Sequence, residues 1–143
     1  MGEEDLSTTN IVERYAQAWL DGNIETIVAS YHDGITLHWF GNNVLSGDHV
    51  GKEVALQALA QFSALSERKL VSIINVTTGP ERSILIAREM LGKGAMRKEV
   101  ERVLIYKVKD NLLFECWVYD QDQSFVDSIM GLKVVKTEGV NDD

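Results

Sequence analysis

Ile35-Thr36-Leu37-His38-Trp39-Phe40-Gly41 is a short run of large and β-branched residues with one imidazole inside it. Close behind it come Leu45-Ser46-Gly47 and then Gly51-Lys52-Glu53. The run predicts a strand over 35–40, the Gly/Asn cluster at 41–44 predicts a turn, and Gly51-Lys52-Glu53 predicts a helix start. An imidazole among hydrophobes either satisfies a core hydrogen bond or faces a pocket. What lies on either side of this strand decides the fold class.

Upstream the pattern is helical. Leu6-Ser7 followed by Ile11 reads as an N-cap with a hydrophobic staple, and Ile11, Val12, Tyr15 and Trp19 recur at helical spacing until Asp21-Gly22 stops them. Asn23 caps a second, short helix with Ile24, Ile27, Val28 and Tyr31 on its apolar face, ended by His32-Asp33-Gly34. Downstream of the strand a third helix spans about 51–67, with Ala55, Ala58, Leu59, Phe62 and Leu65 on one face. Segments 69–77, 82–91, 97–108 and 111–120 then alternate with Thr78-Gly79-Pro80, Gly92-Lys93-Gly94 and Lys109-Asp110-Asn111. They predict an antiparallel meander. A last amphipathic turn or two, Phe125, Val126, Ile129 and Met130, closes at Gly131. Residues 1–6 and 136–143 read as frayed ends.

Helices segregated from a run of strands mean an α+β fold, with three helices from the N-terminal half packed on one face of a curved antiparallel sheet. A cone of that kind encloses a pocket between sheet and helices. The 143 residues predict one domain spanning 1–143.

Composition narrows the function classes. The formal charge of −8, from 14 basic against 22 acidic residues, disfavours nucleic acid and anionic membrane surfaces as partners. No apolar run approaches a membrane span, and the acidic start Met1-Gly2-Glu3-Glu4-Asp5 is unlike a signal peptide, so a cytoplasmic location is expected. The single cysteine, Cys116, allows no internal disulfide and no cysteine cluster for zinc. His32, His38 and His49 lack metal-ligand spacing, and Gly92-x-Gly94 does not open a helix as a phosphate loop does. Neither a metal nor another cofactor is expected.

Several short motifs, taken in order, resemble the nuclear-transport-factor-2-like superfamily, and within it the SnoaL-like and ketosteroid isomerase-like proteins. They are Arg14-Tyr15-Ala16-x-Ala18-Trp19-x-x-Gly22-Asn23-Ile24-Glu25-x-Ile27, Phe40-Gly41-x-x-x-Leu45-x-Gly47, Gly51-Lys52-Glu53, and Glu115-x-Trp117-x-Tyr119-Asp120, covering about residues 7–130. Ketosteroid isomerases use a tyrosine on the first helix and a protonated aspartate as oxyanion donors, and a second aspartate as base. The resemblance puts Tyr15 at the tyrosine and Arg102 near the protonated aspartate. His38 falls at the base, or Trp39 does if the count differs by one residue. Glu115 and Trp117 match a Glu-x-Trp pattern of polyketide cyclases, with Val118 where an acid is expected. Glu101-Arg102 and Tyr119-Asp120 loosely resemble the Asp-Arg-Asp set of limonene-epoxide hydrolases. The superfamily hosts many functions, so the fold alone implies none of them.

The candidate catalytic residues are therefore His38 as general base, Tyr15 as oxyanion donor and Arg102 as a clamp for a carboxylate or enolate oxygen. Trp19, Trp39, Phe62, Glu115, Trp117 and Tyr119 are the candidate ligand-binding residues. On the last strand Glu115, Trp117 and Tyr119 share the face that lines the cavity by the resemblance, which leaves Leu112, Phe114, Cys116 and Val118 on an apolar outer face for a homodimer to cover. The opposite assignment, with Leu112 to Val118 as core and Glu115 in solvent, stays open. Each candidate also has a structural reading: a satisfied core histidine, a packed tyrosine, a cross-strand Arg/Glu pair. Two functions remain. One is a cofactor-independent isomerase, cyclase or dehydratase acting on a small apolar carbonyl compound. The other is a non-catalytic ligand-binding or dimerisation module.

Overall fold

A computed structural model describes residues 3–131, with side chains from Ile11 onward. The elements in chain order are α1 (Glu3–Asp21), α2 (Ile24–Ala29), β1 (Tyr31–Trp39), β2 (Gly47–Val50), α3 (Lys52–Ser66), β3 (Lys69–Thr78), β4 (Ser83–Leu91), β5 (Lys98–Lys109), β6 (Leu112–Asp120) and α4 (Gln123–Met130). The helix start expected at Leu6-Ser7 is corrected: α1 begins at Glu3, so both residues, and positions 3–6 of the end expected to fray, lie inside the helix; the frayed end expected at 136–143 lies outside the described residues.

The six strands form one curved, open sheet in the order β2-β1-β6-β5-β4-β3. The meander β3 to β6 is antiparallel throughout, as its glycine- and asparagine-bearing turns require. One pair makes the sheet mixed: β1 runs parallel to β6, with Leu37 beside Cys116 and Trp39 beside Val118. The crossover from β1 to β6 passes through α3 and the whole meander, ample length for a parallel connection.

Two further boundaries differ from the sequence pattern. The second helix stops at Ala29, because Ser30 bonds back to the Thr26 carbonyl through its hydroxyl and Tyr31 enters the sheet opposite Leu113. Tyr31 thus moves from the expected helix face to β1. The four-residue edge strand β2 carries too short a pattern to be legible.

The core fills the concave side. Ile11, Val12, Tyr15 and Ala16 of α1 and Ala55, Ala58 and Phe62 of α3 are buried against Leu37, Trp39, Leu85, Ala87 and Leu104 of the sheet. The β1–β2 turn is pinned to α4: Asn43 is fully buried and its side-chain Nδ2 donates to Asp127 (2.7 Å), while Leu45 N–H donates to the Asn43 side-chain Oδ1 (2.9 Å). Gly41 at φ +95° lies so close to the Gln123 side chain that a Cβ there would overlap it. That close approach explains the glycine after Phe40. Among the described residues no helix is long and apolar enough to cross a membrane.

Candidate functional site

Between the helices and the concave sheet lies a cavity of about 460 Å³. Its walls are mostly apolar: Ile27 and Val28 from α2, Ile35 and Leu37 from β1, Leu56 and Leu59 from α3, Leu104 and Val118 from the sheet. Ile24, 66 % exposed, stands at the rim. Two polar groups interrupt the apolar lining.

The first is a trio of tyrosines. Tyr15 from α1, Tyr31 from β1 and Tyr106 from β5 all line the cavity and are all buried. The Tyr15 and Tyr31 hydroxyls are 2.6 Å apart, and the Tyr15 ring meets both partner rings at 5.6 Å. Burial raises all three pKa values, least for Tyr15, since hydrogen bonds from Tyr31 and Tyr106 favour its ionised form. Cys116 lies beside Tyr106, its thiol pushed up to about 12 by burial, so it is no nucleophile at neutral pH.

The second is an ion cluster. Arg102 lies 1 % exposed on β5 and donates from Nε to Asp120 (2.5 Å) and from Nη1 to Glu89 (3.0 Å). Glu89, fully buried on β4, also takes a bidentate pair from Arg68, with both bonds at 2.7 Å. Burial pushes the Glu89 carboxyl up, but the Arg68 charge and hydrogen bonds, then those of Arg102, outweigh this and hold it below its ordinary value. Burial likewise disfavours the Arg102 cation, and the charges of Asp120 and Glu89 more than restore it. Both guanidiniums lie against the buried Phe62 ring, at 4.8 Å for Arg68 and 4.4 Å for Arg102.

Of the residues anticipated from sequence, Tyr15, Trp19, Trp39 and Arg102 line this cavity, and Phe62 packs directly behind Trp39 and the arginines. Arg102 shares its face with Leu104 and Tyr106, as alternation required. Its partners are Glu89 and Asp120, so its cross-strand Arg/Glu pair is with Glu89 on β4; none forms with Glu115, which is on the other side of the sheet.

The face assignment of β6 is corrected. Glu115, Trp117 and Tyr119 do not line the cavity; Cys116 and Val118 do. A bulge where β6 passes Lys107 and Val108 resets the alternation, so Leu113, Cys116 and Val118 are buried while Phe114 turns outward against His32. The all-apolar alternate positions signalled the core side. Asp120, the last residue of β6, is the Arg102 partner, and Asp122 caps α4 by accepting from Phe125 N–H (3.2 Å).

His38 is also on the outer face. Its Nε2 meets Glu115 at 2.6 Å, its Nδ1 meets Asp48 at 2.8 Å, and its ring stacks on Trp117. Burial lowers its pKa, but the bonds to Glu115 and Asp48 win and raise it above 6.5. The folded state therefore holds the proton more tightly than the unfolded chain, and this stabilisation is full below about 6.5 and is lost as pH rises through the raised value. His38→Ala is expected to cost about 1–2 kcal/mol in urea unfolding just below that pH, less at pH 9, and to leave the cavity unchanged. An equal cost at both pH values would contradict the clasp.

Superposition on solved structures places this architecture. The chain aligns with Bal32a from a soil-derived mobile gene cassette over 87% of its length and 97% of that chain, with a TM-score of 0.77 and 20% identity. It aligns with an NTF2-like protein of Burkholderia xenovorans over 88% and 97%, with a TM-score of 0.71 and 16% identity.

The chain has the NTF2-like fold.

A further structural neighbour is a putative SnoaL-like polyketide cyclase from Jannaschia, at TM-score 0.69 and 15% identity over 88% of this chain and 93% of that one. No family model matches the sequence, and no curated protein matches it. Identities at this level carry the NTF2-like fold and no function. They leave the chemistry to the residues. Trp39, not His38, points to the concave side at the β1 position where the resemblance puts a base. Among the described residues no cluster of His, Cys, Asp and Glu is arranged to hold a metal.

Proposed function

We propose that this protein binds a small, largely apolar organic molecule bearing a carbonyl oxygen, with Tyr15 donating a hydrogen bond to that oxygen. The observation that carries this reading is the cavity: about 460 Å³ of space in a core that is otherwise closely packed, with a tyrosine hydroxyl trio in an apolar wall. When Tyr31 and Tyr106 both donate to the Tyr15 oxygen, the Tyr15 O–H is left for the ligand and is strengthened by the chain of bonds behind it. The SnoaL-like neighbours are compatible with a carbonyl ligand.

Binding is favoured over proton shuttling. The lining tyrosines and Cys116 are raised out of the neutral range, the arginines are cations, and Glu89 and Asp120 are held in ion pairs. His38 lies across the sheet from the cavity, so isomerisation, cyclisation or dehydration through it has no route.

The test is a matched pair of probes, acetylnaphthalene and ethylnaphthalene, titrated calorimetrically. The ketone is expected to bind up to about tenfold more tightly, and Tyr15→Phe to bring the two close to parity. Equal binding to the native protein would overturn the role given to Tyr15.

A second reading concerns the outer sheet face. Phe40, Ile84 and Tyr119 are each more than a third exposed there, and Phe40 stacks on Tyr119. A homodimer through this face, rather than through Leu112 to Val118, fits the exposed apolar area. It requires a melting temperature that rises with protein concentration.

A further inference from the structure

Arg102, which the sequence suggests as a clamp for a ligand oxygen, commits every guanidinium nitrogen to a carboxylate. Its Nε and Nη2 go to Asp120 and its Nη1 goes to Glu89. Arg68 differs. It spends only Nε and Nη2, both on Glu89, and its Nη1 makes no hydrogen bond among the described residues. That nitrogen is within reach of solvent. Among the described residues the one side-chain nitrogen or oxygen both sealed off and unpartnered is Trp39 Nε1, not Arg68 Nη1.

The position of Arg68 suits a ligand that enters the cavity. Its side chain lines the cavity and is 19 % exposed. The lining residues Ile24, Ala60 and Ser63 are exposed, so the cavity opens between α2 and the C-terminal half of α3, and Arg68 follows directly after α3. Trp19 bridges it to Tyr15: the indole lies 5.2 Å from the Arg68 Cζ and 6.4 Å from the Tyr15 ring. The Arg68 charge is felt at the Tyr15 and Tyr31 hydroxyls, where it favours the ionised form. Glu89 holds one edge of the guanidinium, and the Trp19 and Phe62 rings lie against it. The group is therefore fixed before any ligand arrives.

The charges run in an alternating series, Asp120, Arg102, Glu89, Arg68. The only charged residues lining the cavity are the two cations, with the carboxylates behind them. The series thus ends at the cavity on a cation with an open donor. An anion placed there is nearer to Arg68 than to Glu89, so attraction exceeds repulsion. The formal charge of −8 disfavours anions over the molecule as a whole, which leaves Arg68 as the local cause of any preference for one.

We propose that Arg68 is a second ligand-binding residue, and that the ligand is a keto acid whose carboxylate accepts a hydrogen bond from Arg68 Nη1. This rests on the binding reading proposed above and narrows it: the apolar body fills the cavity, Tyr15 takes the ketone, and Arg68 takes the carboxylate toward the mouth. The clamp anticipated at Arg102 is thereby carried by Arg68, and Arg102 fixes Glu89 behind it.

Three probes test this by calorimetric titration at neutral pH and low salt: naphthoylpropionate, its primary amide, and naphthylbutanoate, which lacks the ketone. Native protein is expected to bind naphthoylpropionate up to about tenfold more tightly than the amide, with the gap narrowing as salt is added. Arg68→Gln, in which Glu89 keeps Arg102, is expected to bring acid and amide to parity while the ketone preference persists. Should that variant fail to fold, Ser63→Glu, an exposed change at the mouth, is expected to weaken the acid severalfold and the amide hardly at all. An acid bound no more tightly than its amide by the native protein, an acid preference kept in Arg68→Gln, or equal effects of Ser63→Glu on both would overturn the Arg68 site. The binding reading then stands if naphthoylpropionate still outbinds naphthylbutanoate. If those two bind equally and both outbind the amide, the role of Tyr15 fails and the Arg68 site stands.

Discussion

Replacing Arg102 by methionine is expected to destabilise the protein by about 3–5 kcal/mol at neutral pH, a large share of the roughly 5–15 kcal/mol that holds a domain folded. The guanidinium is 1 % exposed and is the hydrogen-bond partner of Asp120, while Glu89 would keep only Arg68. Methionine fills much of the same volume, so the loss is chiefly electrostatic: one buried carboxylate without a partner and another with half of its partners. Urea unfolding of native protein and variant at constant m-value measures the difference.

The pH dependence separates this mechanism from simple packing loss. Glu89 has a folded pKa below 4.5, so its contribution is fully present above that value and disappears as pH falls through the lowered folded pKa. In Arg102→Met the carboxyl is held down less, by Arg68 alone, and the acid limb of the stability curve moves to higher pH. At the same time the gap between native and variant narrows as the carboxyls protonate. A gap that stays constant from neutral to acid pH would mean that methionine simply packs badly.

The fold was readable because its evidence is periodic. Tyr15 and Trp19 fall four apart on α1, Ala58 and Phe62 four apart on α3, and the four meander strands alternate between glycine- or asparagine-marked turns. Period also put Arg102, Leu104 and Tyr106 on one face of β5, which is where they stand. What period does not give is the sign of a face. On β6 both alternate sets carry large apolar residues, and a bulge between Leu113 and Glu115 removes even the constant parity. The same limit applies one strand over: the count puts His38 at the base position and Trp39 there only if it slips by one residue, and the parallel pairing of β1 with β6 puts Trp39 inside.

The missed site residues share another cause. Glu89 and Arg68 are 21 positions apart and Arg102 lies 13 further on, so no local pattern links them. Glu89 is a lone acid in Ile84-Leu85-Ile86-Ala87-Arg88-Glu89-Met90-Leu91, at an inward position shared with Leu85 and Ala87. An acid at an inward position of an apolar strand demands a cation, and that was the available signal. Tyr31 was hidden by its helical spacing from Ile27 and Val28, although Ser30 ended the helix before it.

Phe62→Ala is the other large effect expected, about 3–5 kcal/mol. The ring is fully buried, packs at 5.0 Å on Trp39, and lies under both guanidiniums. Two terms contribute, and Phe62→Leu divides them. Leucine keeps most of the apolar volume and loses the aromatic face, so its cost reports the cation–π attraction, about 1–2 kcal/mol for desolvated pairs. The remainder in alanine is transfer and cavity formation. The alanine variant also joins the space left by the ring to the existing cavity beside Trp39, so a bulkier ketone than acetylnaphthalene should gain affinity in it while the native protein rejects that ketone. If Phe62→Leu proves as stable as the native protein, the arginines take nothing from the ring, and the Glu89 and Asp120 carboxylates alone keep them buried.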